Sequence, residues 1–205
     1  MHRVITIARE FGSGGALIAR AIAARLGWKL LDNALLQEVA RCARVEPQVA
    51  ARFDECVDPW LHRLGKQALW RGALEAVASV SDEDFFDSEA MARFAGQVIR
   101  DAAEAGGCII VGRGAQCVLQ DRRDVFHVFV YGSTRDKLRR LAERMPDCRD
   151  PANRMHEVDH QRAAYIREYF QRDWCDRQLY DMMLNSRCGE EAAAQSILCA
   201  AVLAG

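Results

Sequence analysis

Val4-Ile5-Thr6-Ile7-Ala8-Arg9-Glu10-Phe11-Gly12-Ser13-Gly14-Gly15-Ala16-Leu17-Ile18-Ala19-Arg20-Ala21-Ile22-Ala23-Ala24-Arg25-Leu26-Gly27 is the stretch on which the fold turns. A β-branched run, a glycine-rich turn and an Ala/Leu/Ile-rich segment closed by a glycine predict strand, tight loop and helix, with Gly27 as the helix stop. That is a phosphate-binding layout. Glycines remove Cβ atoms that would hold a phosphate away from the backbone, and the helix adds its unsatisfied N-terminal donors and positive dipole end. The bland alternative is a purely structural turn between strand and helix.

The standard P-loop reads G-x-x-x-x-G-K-[ST], its Lys reaching the β- and γ-phosphates and its hydroxyl holding magnesium. With Gly12-Ser13-Gly14 as the end of that loop, Gly15 stands at the Lys position, Leu17 near the Ser/Thr position, and the first glycine of the motif is absent. Half the motif is present: the backbone cradle without its two charged or metal-holding side chains.

Outward from this unit, Trp28 to Asp32 is a short apolar run ending in an acid, read as a second strand, and Asn33 caps a helix from Ala34 to about Arg44. Asp32, at the C-terminal end of that strand, is either a site residue or a helix cap. From Val45 to Glu89, a stretch punctuated by Pro47 and Pro59, Trp60, Leu61, Leu64, Leu69, Trp70, Leu74 and Val77 suggest the helical segments of an insertion, with Asp82-Glu83-Asp84 a solvated acidic turn. A clean helix follows from Glu89 to about Ala105, ended by Gly106-Gly107. Cys108-Ile109-Ile110-Val111 reads as a strand buried on both faces, followed by Gly112-Arg113-Gly114. An Arg between two glycines at a strand's C-terminal end suits an anion, because guanidinium donates in a bidentate fork; a structural ion pair is the alternative.

Val125 to Tyr131 is the next buried strand, in which His127 reads as a core or face residue. An amphipathic helix covers Arg135 to Arg144. The charged segment Pro146 to Asp173 places Asp159, Arg162, Tyr165 and Ile166 on one side of a helix, so that Asp159 can hold Arg162. Asp181 to Ser186 is the last strand and Glu190 to Ala204 the closing helix.

The 205 residues carry a net charge of −1, with half of them apolar. This suits one soluble domain with a normal core and gives no global attraction to nucleic acid. No apolar run of about 18 residues and no signal-peptide core appears, so no membrane partner and a cytoplasmic location are expected. The eight cysteines form no C-x-x-C pair. They read as reduced thiols rather than metal ligands, and no metal-ligand cluster is expected.

Strand, Gly-loop, helix and four further strand–helix steps predict an α/β fold, three layers (α/β/α) around a mostly five-stranded parallel sheet with its chemistry at the C-terminal edge. The run Ala8-Arg9-Glu10-Phe11-Gly12-Ser13-Gly14-Gly15, then Leu31-Asp32, Ile109 to Arg113, Asp159 to Arg162 to Tyr165, Trp174, and Tyr180-Asp181 leading to Asn185-Ser186 resembles the cytidylate kinase-like family. The motifs run from end to end of the chain, and their joint order is specific.

The resemblance implies a single P-loop kinase-like domain over residues 1–205, with residues 45–89 a helical acceptor-side insertion and 146–173 a lid-like segment. It implies a transferase that moves the γ-phosphoryl of ATP, with Mg²⁺, to a pyrimidine monophosphate, CMP or dCMP, its partners being small-molecule nucleotides. By similarity Gly12, Ser13, Gly14, Gly15 and Ala16 cradle donor phosphates, Asp32 faces the acceptor nucleotide, and Arg113 grips its phosphate. Arg154 or Arg162 comes from the lid. Gly15 replaces the Lys of true cytidylate kinases, and Ala16 stands where the subfamily commonly has Arg. The positive charge that phosphoryl transfer needs is then left to Arg9, Arg113 and Arg162, and the metal to Ser13 or to water-mediated contact with Asp32. A second reading keeps the nucleotide or another phosphorylated ligand but drops turnover.

Overall fold

The structure, a computed structural model, describes residues 2–33, 35–36 and 89–203. The chain divides into two compact units, Met1–Leu30 with Gly107–Gly205, and Leu31–Gly106. The predicted helix from Ala34 and, but for Glu89, the predicted insertion fall almost wholly outside the described residues.

Five strands, β1 (Val4–Arg9), β2 (Lys29–Leu31), β3 (Cys108–Val111), β4 (Val125–Tyr131) and β5 (Met182–Asn185), form one sheet in the order β2-β3-β1-β4-β5. It is the five-stranded parallel sheet that the sequence predicts. The β1–β3 pairing sets Ile7 opposite Val111, and β1–β4 sets Arg9 opposite Val130. The C-terminal ends of β3, β1 and β4 therefore leave the sheet side by side.

Both faces of the first unit's sheet are covered, as its unbroken apolar strands require. On one face Ile5, Ile7, Phe126, Val128 and Val130 pack with Ile18 and Ile22 of α1 (Gly15–Leu26) and with Ala193, Ala194 and Ile197 of the closing helix Glu190–Leu203. On the other, Ala8 and Phe129 pack with Ile166, Trp174 and Leu179. The period-2 alternation along β1 and β4 sorts these two sets. Gly27 ends α1 at φ 65°, its N–H bonded to Ala23 O, because a left-handed residue there costs glycine least.

The second unit contains α2 (Glu89–Ala105), whose Phe94, Ala95, Val98, Ile99, Ala102 and Ala103 are buried. Gly106, also left-handed, follows it with its N–H on Ala102 O. The rest of the first unit comprises the short α3 (Ala115–Val118), α4 (Thr134–Arg144), α5 (Pro151–Phe170) and the closing α6 (Glu190–Leu203). Ser133 caps α4 and Asp150 caps α5, each side chain accepting a first-turn N–H. No helix among the described residues is long and apolar enough to cross a membrane.

Candidate active site

β1 delivers Arg9, Glu10 and Phe11 to the sheet's C-terminal edge, and nearly every polar group of this tripeptide is tied down. Glu10 N–H donates to Val130 O at 3.0 Å, and Glu10 O accepts from Ser13 Oγ at 2.8 Å. The Glu10 carboxylate accepts from Gly132 N at 3.1 Å and from Lys137 Nζ at 2.9 Å. Asp159 on α5 accepts from Phe11 N at 2.7 Å and from Arg162 Nη1 at 3.1 Å, and the same Nη1 donates to Arg9 O at 2.8 Å. α4 and α5 thus clamp the entry to the loop.

The loop glycines serve different neighbours. Gly12 and Gly14 are left-handed at φ 78° and 82°. A Cβ on Gly12 would press on Leu141 Cγ at 3.1 Å and Lys137 Cβ at 3.2 Å, so its absence lets α4 close on the loop. A Cβ on Gly14 would meet Glu190 Oε1 at 3.2 Å, and Arg144 Nη2 holds that carboxylate at 2.8 Å. Gly15 opens α1 and faces Arg9, whose Cβ is 2.6 Å from where a Gly15 Cβ would stand. Gly14, as N-cap, supplies no side-chain acceptor to the first turn of α1, and Ala16 beside it is exposed. The donor-rich helix end is left to an anion.

Beside this loop lies the second glycine turn. Gly112, Arg113 and Gly114 are all left-handed, at φ 80°, 52° and 70°. Arg113 is one of two described non-glycine residues with positive φ, a conformation that costs of order 1 kcal/mol or more for a residue with a Cβ. Gly112 N–H is fixed on Ile7 O at 3.1 Å. A Cβ on Gly112 would overlap Arg9 Nη1 and stand 3.1 Å from its Cζ; one on Gly114 would enter the Phe170 ring. The Arg113 guanidinium lies 5.8 Å from the Tyr165 ring centroid. Burial raises the Tyr165 pKa, and the nearby Arg113 opposes it by its charge and by a side-chain hydrogen bond to the phenol.

Of the residues expected here, Arg9, Gly12, Ser13, Gly14, Gly15, Ala16, Arg113 and Arg162 all lie on the first unit's elements. Arg162 is a strut between Asp159 and the loop's main chain. Burial lowers its pKa, which Asp159 counteracts, and burial raises that of Asp159 against the Phe11 N–H and Arg162. Arg154 lies eight residues earlier on α5, about 12 Å along its axis, half-exposed and 3.7 Å from Glu157. Asp32 belongs to the second unit, where its Oδ1 accepts Leu35 N at 3.0 Å, the capping arrangement that its position allows.

Ser13 is one of the two residues expected to serve the metal, Asp32 through water being the other. The Ser13 side chain is fully buried and its hydroxyl donates to Glu10 O, which fixes the loop's bend. Glu10, Lys137 and Glu190 were missed. A sequence signal existed for Lys137: it is four residues before Leu141, on the inward face of an amphipathic helix, where an ammonium needs a carboxylate partner.

The family model for the cytidylate kinase-like family matches residues 4–187. The chain belongs to the cytidylate kinase-like family. Among solved structures it is similar to an uncharacterized protein from Eubacterium ventriosum ATCC 27560, at 25% identity and TM-score 0.68, with 96% of each chain covered. It is also similar to a gluconokinase from Sinorhizobium meliloti 1021 at 10% identity and TM-score 0.53, covering 99% of this chain and 94% of that one. A shikimate kinase from Bacteroides thetaiotaomicron matches at 16% identity and TM-score 0.51, with 95% of each chain covered. These two kinases share the fold of this family member. No curated protein sequence matches the chain.

The residues present fit a nucleotide's phosphate chain, with an uncapped helix end, a glycine loop and arginines at its rim. For a magnesium ion no hydroxyl stands at Leu17, and Ser13 Oγ, its proton donated to Glu10 O, keeps its lone pairs as acceptors. Among the described residues no group of three or more His, Cys, Asp or Glu could hold a metal ion.

Proposed function

We propose that this family member transfers the γ-phosphoryl group of ATP to a pyrimidine nucleoside monophosphate, CMP or dCMP being the acceptors that the family resemblance favours. The observation that carries this reading is the pair of glycine turns, 12–15 and 112–114, leaving adjacent paired strands with the Arg9 side chain spanning them. The helix end at Gly15 and Ala16 receives the donor phosphates, and Arg113 grips the acceptor phosphate. The segment of α5 before Asp159, with Arg154, acts as the lid.

In the reaction an acceptor phosphate oxygen forms a bond to the γ-phosphorus while the bond to the β–γ bridging oxygen breaks. ADP leaves with that electron pair, and the acceptor becomes a diphosphate. Charge spreads over the transferring oxygens, so fixed cations between the turns lower the barrier by standing where the charge moves. Arg162 keeps those groups in register by holding Arg9 O and Asp159. Magnesium, when bound, screens the phosphates and keeps most of its ligands from phosphate and water.

A second reading, nucleotide binding without turnover, is favoured by the loop lysine missing at Gly15 and the hydroxyl missing at Leu17. Purified protein with ATP and magnesium, offered CMP, dCMP, UMP, AMP, shikimate and gluconate, separates the possibilities by ADP release. ADP release dependent on CMP or dCMP is expected. Preference for shikimate or gluconate would replace the acceptor assignment, and ATP binding with no acceptor-dependent ADP would replace the enzyme by the binder.

A further inference from the structure

We propose that Arg9 takes over the place and the charge that the loop lysine holds in a standard P-loop, and that Gly15 has no side chain because the stem of Arg9 fills that space. The inference rests on the reading of the first turn as the donor-phosphate cradle.

Gly15 differs from its neighbours in the loop. Gly12 and Gly14 have positive φ, which alone accounts for glycine there, but Gly15 does not. What it meets is Arg9: an added Cβ would lie 2.6 Å from Arg9 Cβ and 3.0 Å from Cγ, closer than side chains pack. The lysine position is therefore occupied from another point in the chain. From this root the Arg9 side chain runs across to the second turn, where a Cβ on Gly112 would fall onto its guanidinium. Stem against one glycine and head against another put a permanently charged, planar donor fork at the seam of the two turns.

The root is fixed as well. Arg9 pairs with Val130 in the sheet, and its carbonyl accepts from Arg162. Arg162 has its guanidinium engaged by Asp159 and the main chain, and Arg113 sits on the far turn over Tyr165. Arg9 alone of the three starts at the donor loop and ends at the acceptor turn. Its ligand is the terminal part of a polyphosphate chain, as in a nucleoside triphosphate.

The test uses the full chain and four variants: Arg9→Met, Arg9→Lys, Gly15→Lys and the double change Arg9→Gly with Gly15→Lys, glycine being needed because the closest contact is with the Arg9 Cβ itself. Calorimetry with inorganic tripolyphosphate reads affinity, and thermal melting reads the fold. Arg9→Met keeps the stem and loses the charge, so the melting temperature should hold while affinity falls tenfold or more and the salt dependence of binding shrinks. Arg9→Lys should restore part of the affinity. Gly15→Lys alone should melt lower and bind worse, and the double change should regain both, because removing one stem makes room for the other. Unchanged tripolyphosphate affinity in Arg9→Met, or a Gly15→Lys protein as stable and as tight-binding as the parent, would overturn the inference. If Gly15→Lys does not fold, Arg9→Met decides. Arg9-dependent tripolyphosphate binding in a protein with no turnover would sustain the inference and sink the kinase reading; turnover with Arg9-indifferent binding would do the reverse.

Discussion

Lys137 Nζ lies 2.9 Å from one Glu10 carboxylate oxygen and 3.8 Å from Asp159, with 8% of its side chain exposed. One ammonium joins the helix α4, the end of β1 and the middle of α5. Removing it leaves two carboxylates facing each other beneath the loop. Lys137→Met should destabilise the fold by about 2–3 kcal/mol, short of the 3–5 of a fully buried pair because Glu10 keeps a quarter of its side chain in water. Urea unfolding checks this, and adding Glu10→Gln should recover part of the loss; a neutral Lys137→Met would show that the clamp is held elsewhere.

Ala16 offers a test in which stability and binding move in opposite directions. It is exposed in the first turn of α1, next to an N-cap with no side-chain acceptor. Ala16→Asp should stabilise the protein by about 0.3–1 kcal/mol through the helix dipole and should suppress tripolyphosphate and ADP binding. Ala16→Arg should tighten both ligands several-fold at a small cost in stability. Melting curves and calorimetry on the same samples suffice, and a Ala16→Asp protein that still binds would remove the helix end from the site.

Much of this was legible in the sequence, and the reasons differ by element. The β-branched runs of β1, β3 and β4, the glycine stops at Gly27 and Gly106, and the Asp159–Arg162 pair follow local rules of period and capping, which act within a few residues. The use of each glycine did not. Gly12, Gly14 and Gly15 look alike in a row, yet one admits α4, one faces Glu190 and one admits Arg9, and these partners lie up to 176 residues away in the chain. Lys137 was hidden for a similar reason, since its carboxylate partner Glu10 is 127 residues distant. Ser13 looked free because its bond to Glu10 O depends on the bend of the loop itself.

Arg113 and Gly114 separate binding from packing. Arg113→Lys keeps a Cβ at the same left-handed position, so stability should change by less than about 0.5 kcal/mol, while CMP affinity falls at least tenfold and ADP affinity holds. Gly114→Ala should instead cost about 2–4 kcal/mol, from strain at φ 70° and the clash with the Phe170 ring. Phe170→Leu in the same chain should relieve part of that cost. Equal loss of CMP and ADP binding in Arg113→Lys would contradict the acceptor role.

His127 sets a pH dependence. Its Nδ1 is 2.7 Å from Thr6 Oγ1, and burial lowers its pKa below 6.5, with nearby Asp181 partly opposing. As pH falls below 6.5 the unfolded chain takes up a proton that the folded one refuses, so stability is lost from there down to the folded value. The slope contributed is at most about 1.4 kcal/mol per pH unit. His127→Gln should flatten the stability profile between pH 6.5 and 5 relative to the parent. Parallel profiles would show that other groups govern it.

The contact between Arg9 and the empty side of Gly15 also constrains how such a loop can change by single substitutions. A chain with this arrangement that acquires a side chain at residue 15 first suffers a collision, and one that first shortens Arg9 passes through a form with a cation at neither place. Neither order is a smooth walk. The two ways of charging the loop are separated by a valley one substitution wide, and simultaneous change at both positions is the direct crossing.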